Sequence, residues 1–208
     1  MFSMFSPDSK IMQVLARFAD LVILNGLYLI TCIPVFTIGA ANTALYNVCF
    51  RMLREEGGVV KPYFRAFWEN FKQATVLWLL LLFIGVPAYL YFDKFYHFES
   101  ILRYGYVLFV SILMLTILVG GFVFPWLSRF QNNVPTTLRN AMLLSIGHLP
   151  KALVILMVNV LPFGLWIVNY DLFLRVSFLW ISLYFAAGAY FNANLLRSVF
   201  APYISEEA

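Results

Sequence analysis

The chain has 208 residues, 62% of them hydrophobic and 12% charged, with a formal net charge of +4. A soluble domain carries about 25% charged residues; with half that share the surface cannot be dressed for water, so most of it must face lipid. The positive balance does not indicate nucleic acid, because the fourteen Lys and Arg residues lie in short stretches between apolar runs and not as the clustered contacts that phosphate binding needs.

Length predicts a single integral membrane domain over 1–208. The N-terminal stretch Met1–Lys10 is polar and short. Leu21–Ile38 is an apolar run interrupted by Pro34. Arg17 ahead of it gives the look of a secretory leader, but the run is long and the segment after it stays membrane-compatible, so cleavage is not expected. Thr37–Leu53 continues with Gly39, Ala40, Ala41 and Ala44, and the Thr37 hydroxyl is placed to cap a new helix. Pro34 ends or kinks the first helix, while Thr37, Gly39, Ala40 and Ala41 let another backbone approach closely. This stretch reads either as a tightly packed helical hairpin or as a broken-helix solute site.

Glu55-Glu56-Gly57-Gly58 reads as a helix end, despite the unfavourable sign of its charges there. Pro62 then opens a helix in which Phe64, Phe67, Trp68 and Phe71 recur at spacings of three and four, with Asn70 among them and Arg65, Glu69 and Lys72 on the other side. That pattern suits an amphipathic helix along the cytoplasmic interface, either anchoring the next span or docking a partner.

Four segments have the roughly 20 apolar residues that a span needs: Ala74–Phe92, Gly105–Leu127, Ala152–Tyr170 and Val176–Leu196, none with a charged residue. Trp126, Tyr91 and Tyr170 stand near their ends as interface anchors. Between the second and third, Phe130–Gly147 forms another short amphipathic helix, capped by Thr136 or Thr137, with Leu138, Met142, Leu143 and Ile146 apolar and Arg139 outward. Ser198–Ala208 is a short polar tail.

The fold class is thus all-α, a polytopic transmembrane bundle of six spans or, alternatively, five. If Pro34 turns a hairpin, eleven Lys and Arg residues share one side and Lys94, Arg103 and Arg175 the other; with a single span in that region the split is nine to five. The stronger asymmetry favours six spans with both termini cytoplasmic. The second helix is the weak element, since Asn42, Thr43 and Asn47 would have to face other helices.

Little chemistry is visible. Cys32 and Cys49 read as small hydrophobes. His97 and His148 fall on opposite sides of the bilayer and share no metal, and no cofactor is expected. Ser145 precedes His148 by three residues without an acid or an elbow motif, and there is no Gly-rich phosphate loop, so no enzyme is expected. Arg17 and Asp20 pair locally on the first helix. No carboxylate sits mid-span, which argues against a proton-coupled pump. Asn25, Asn159 and Asn192, with Asn194, are the amides at depth, and interhelical hydrogen bonds account for them.

The Pro34–Ala41 stretch, followed by Phe64, Phe67, Asn70 and Phe71 leading into a span, resembles the YesL-like family of bacterial integral membrane proteins; the resemblance covers about Asp20 to Leu196. Members of that family have no assigned function, and many are encoded beside sugar-uptake ABC importers in Gram-positive bacteria. The resemblance implies a non-enzymatic accessory subunit of a carbohydrate (oligosaccharide) ABC importer, with the lipid bilayer and importer permease subunits as partners. It supplies no catalytic residues. The alternative is an autonomous small-solute transporter or channel, and a homo-oligomeric scaffold is a third reading.

Overall fold

The computed structural model describes residues 10–96 and 105–204, and every regular element in them is helical. His97 and Arg103 lie outside the described residues, as do the side chains of Tyr91 and Lys94. In chain order the helices are α1 (Lys10–Thr31), a 3-10 turn (Val35–Thr37), α2 (Ile38–Leu53), α3 (Val60–Tyr96), α4 (Gly105–Leu127), α5 (Val134–Gly147) and α6 (Leu149–Val168). The short α7 (Tyr170–Arg175) and α8 (Ser177–Leu179) follow, then a π turn (Trp180–Tyr184) and α9 (Phe185–Ile204).

Four helices are long and apolar enough to cross a membrane: Ile11–Thr31, Val60–Leu90, Val107–Leu127 and Leu149–Val168. Two of the six expected spans therefore fall outside this set. Helix α2 has 16 residues, about 24 Å at 1.5 Å per residue, short of a hydrocarbon core of roughly 30 Å. The segment read as Val176–Leu196 is not one α-helix, because the π turn divides it.

Pro34 does turn a hairpin. Helix α1 ends at Thr31, and α2 returns beside it after the 3-10 turn. Thr37 precedes α2 without capping it: its hydroxyl faces the carbonyls of Thr31 (2.5 Å) and Pro34 (2.6 Å), closing the end of α1 instead. Among the described glycines, Gly39 has the closest neighbours. A Cβ there would lie 2.4 Å from the Ala74 carbonyl oxygen and 2.7 Å from the Trp78 Cβ, so only glycine lets α2 rest on α3 at this level.

The amphipathic segment beginning at Val60 is not a separate interfacial helix. It runs without a break into the following span as a 37-residue helix, about 55 Å long. Its aromatics also divide differently: Tyr63 and Phe67 are buried and Phe71 packs against the core, while Phe64 and Trp68 face outward. The cap of α5 is Asn133, whose side chain accepts the Thr136 amide. Thr137, Ala141, Leu144 and Ser145 form its buried face, and Met142, Leu143 and Ile146 are exposed.

Both described chain ends lie at one end of the bundle. Arg17 reaches Glu55 in the α2–α3 turn at 2.9 Å, a pairing that replaces the expected Arg17–Asp20 contact. Phe200 packs on Phe50 and Trp126. Trp126 is accordingly no interface anchor but a buried ring, stacked on Phe130 at 4.1 Å and edge-on to Phe200 and Tyr203. The unfavourable carboxylates after α2 are answered by arginines: Glu55 by Arg17, and Glu56 by Arg51 and Arg54.

Candidate functional site

Toward the end where α1 turns into α2, the helices diverge around a partly enclosed cavity of about 740 Å³. Its walls come from α1, α2, α3, α4, α6 and the π turn with α9. Pockets of roughly 300–1,000 Å³ are the usual size for small-molecule sites. Gly85 on α3, Gly120 and Gly121 on α4, and Gly188 on α9 line it, and a Cβ at Gly121 or Gly188 would lie 3.1 Å from Ile155 or Val158, so these two let neighbouring helices approach closely at its edge. The walls are mostly apolar and aromatic, including Trp78, Phe124, Phe163 and Phe185.

Polar groups are few and concentrated. Tyr46 and Asn159 line the cavity, and Asn192 is fully buried behind them. The Asn192 amide nitrogen donates to the Tyr46 hydroxyl at 3.3 Å and to the Asn159 Oδ1 at 3.2 Å, tying α2, α6 and α9 together. The Asn192 Oδ1 is buried without a partner. Higher on the wall, the Tyr28 hydroxyl and the Asn42 Oδ1 face each other at 3.4 Å, a marginal hydrogen bond. Cys32 lines the same wall, whereas Cys49 is fully buried; both are free thiols.

The wall nearest α6 is shaped by two departures from regular helix. Pro162 has no amide hydrogen, so the carbonyl of Val158, four residues back, loses its helical donor. The Tyr184 hydroxyl supplies one at 2.7 Å. Tyr184 is in place to do so because it closes the π turn, whose wider winding also disturbs the hydrogen-bond ladder. Asn25 of α1 repairs that ladder: its Nδ2 donates to the carbonyls of Ile181 (2.7 Å) and Trp180 (3.3 Å), and its Oδ1 accepts the Ala186 amide (3.0 Å). In lipid such freed backbone groups have no water to turn to, and these side chains supply the partners they would otherwise lack.

The three groups of residues singled out from sequence are thus in three places. Pro34 is exposed at the hairpin, and Thr37, Gly39, Ala40 and Ala41 are buried beside the cavity rather than in its wall. Phe64, Phe67, Trp68, Asn70 and Phe71 precede the cavity-lining part of α3, and Asn70 bonds back to the Ala66 carbonyl. Asn25 props the wall, while Asn159 and Asn192 meet at the floor. Trp78, Tyr184 and the lining glycines were not anticipated. The glycines are visible in the sequence, but spacing does not say whether a glycine makes a void or a close contact.

Among the described residues no group of three or more His, Cys, Asp or Glu is placed to hold a metal. The Ser145 hydroxyl donates to the Met142 carbonyl. The cavity offers amides, phenols and aromatic faces, groups that can contact an apolar molecule and orient it through hydrogen bonds.

Residues 21–93 match the model of a family described as a protein family of unknown function, DUF624. The match runs from α1 through α2 and most of α3, and so takes in the hairpin, the Gly39 contact and part of the cavity wall. No curated protein and no solved structure matches the chain.

Proposed function

We propose that the chain is a non-enzymatic, polytopic membrane protein that holds an amphipathic small molecule between its helices, with both chain ends cytoplasmic. The observation that carries this reading is the cavity of about 740 Å³, with apolar aromatic walls and a floor of Tyr46, Asn159 and Asn192. A mostly apolar body would fill the space, and a hydroxyl or carbonyl would meet Asn159. Six crossings are supported by the six helical segments that share the wall, and the orientation by the eleven-to-three division of basic residues.

The family resemblance supports the setting: an accessory subunit of an oligosaccharide ABC importer, meeting the permease within or beside the bilayer. A channel is less well supported. Beyond the cavity floor, Phe50, Trp126, Phe130 and Phe200 pack ring against ring and block the way to the end that carries the chain termini.

The test is binding of an environment-sensitive apolar fluorophore bearing one hydroxyl to the full chain in nanodiscs. Saturable binding that Gly120→Leu abolishes without unfolding the protein is expected; binding unaffected by Gly120→Leu overturns the cavity reading. The importer setting is tested separately, by isolating the chain from its own cell in mild detergent. Recovery of permease subunits is expected, and their absence counts against the accessory role.

A further inference from the structure

The end of the bundle that carries the chain termini gathers four arginines from three separate elements: Arg51 and Arg54 at the end of α2, Arg129 in the turn after α4, whose guanidinium lies over Phe50, and Arg197 on α9, three residues before the Phe200 that packs on the same Phe50 ring. The carboxylate that Arg51, Arg54 and Arg129 face is that of Glu56, which pairs with Arg51 at 3.1 Å and with Arg54. Arg129 is half-buried, its guanidinium over the Phe50 ring at 4.8 Å. Burial, then the neighbouring Arg54 and Arg197, push its pKa below the ordinary arginine value, an effect that Glu56 only partly offsets. The Arg51 Nε is buried with no partner. The negative end of α2 accounts for Arg51 and Arg54. It does not account for Arg129 and Arg197, which the tertiary fold brings up to them against like-charge repulsion.

We infer that Arg51, Arg54, Arg129 and Arg197 form a binding site for a phosphate group, that of an anionic lipid headgroup. Guanidinium forks match phosphate oxygens in geometry and charge. Lipid is favoured over soluble phosphate by position. Arg129 stands two residues beyond Leu127, where a membrane-crossing helix ends, and basic pockets between helices at the cytoplasmic face are suited to such headgroups.

The experiment measures lipid retention by native mass spectrometry, and thermal unfolding in detergent, for the full chain with phosphatidylglycerol, phosphatidylcholine or inorganic phosphate. The wild type is expected to prefer phosphatidylglycerol, and Arg129→Gln and Arg197→Gln each to lower that preference about fivefold, from roughly 1 kcal/mol per basic residue at a membrane surface. Arg139→Gln, an exposed basic residue on α5 outside the cluster, is expected to leave it unchanged. Arg197 is exposed, so its variant carries the test even if Arg129→Gln fails to fold, and Arg129→Lys should keep most of the preference. Wild-type preference in Arg197→Gln overturns the proposal. So does stabilisation by inorganic phosphate alone, which assigns the site to a soluble ion.

Discussion

The side-chain oxygen of Asn25 accepts the backbone amide of Ala186 at 3.0 Å, joining the first helix to the last across 161 positions of sequence. With its nitrogen on the Trp180 and Ile181 carbonyls, Asn25 spans the π turn that leads into the last helix. Replacing it by leucine strands three backbone groups, of which those of Trp180 and Ala186 are buried. Asn25→Leu is expected to lower stability by about 2 kcal/mol, given 1–3 kcal/mol for an unsatisfied buried group. Unfolding in mixed detergent measures this, and faster hydrogen exchange at Ala186 should accompany it. Wild-type stability in the variant would show that the π turn does not need the amide.

Tyr184 and Pro162 are linked through the Val158 carbonyl. Tyr184→Phe removes its donor and is expected to cost about 1 kcal/mol. Pro162→Ala restores a helical amide to the same carbonyl. The double variant should therefore lose less than the sum of the two single losses, and strict additivity in a double-mutant cycle would refute the link.

Gly39 decides how closely α2 lies on α3. Gly39→Ala puts a methyl group against the Ala74 carbonyl and forces the helices apart, at a cost of about 1–3 kcal/mol as for other overpacked sites. Gly57→Ala, where a Cβ meets nothing within 4 Å, is the control expected to stay near wild type. Equal melting temperatures for the two variants would contradict the contact.

The two cysteines should differ in reactivity. Cys32 lines the cavity, and Cys49 has no exposed surface. A membrane-permeant maleimide is expected to label Cys32 in the folded protein and Cys49 only after unfolding. A molecule that fills the cavity should slow the Cys32 reaction. Labelling of Cys49 first would mean that the packing around α2 opens more readily than its full burial implies.

The carboxylate among the arginines gives an acid-sensitive contact. Glu56 is held below the ordinary carboxylate pKa, first by the hydrogen bond from Arg54 and then by the charges of Arg54, Arg51 and Arg129. With the folded value depressed, its contribution to stability is fully present above the unfolded pKa and is lost as pH falls through the folded value. Melting temperatures of the wild type and Glu56→Gln are expected to converge as pH is lowered below the usual carboxylate range. A constant gap between them would exclude Glu56 as the source.

Sequence by itself determined that the surface belongs to lipid, since 12% charge cannot solvate the chain, and that the apolar runs are helices, because lipid forbids unpaired backbone. It also favoured the hairpin at Pro34 over a single span there, because the basic residues then divide eleven to three. It did not determine that the Phe64–Phe71 segment runs on into α3, since helical periodicity carries no mark of where an interface helix becomes a span. Nor did it separate the roles of the buried amides. Asn25, Asn159 and Asn192 look alike in apolar sequence, yet one props a π turn and the other two close a cavity floor. Those roles depend on which groups of distant helices come within hydrogen-bond range. Only the tertiary structure sets those distances, and with them the cavity and the arginine cluster.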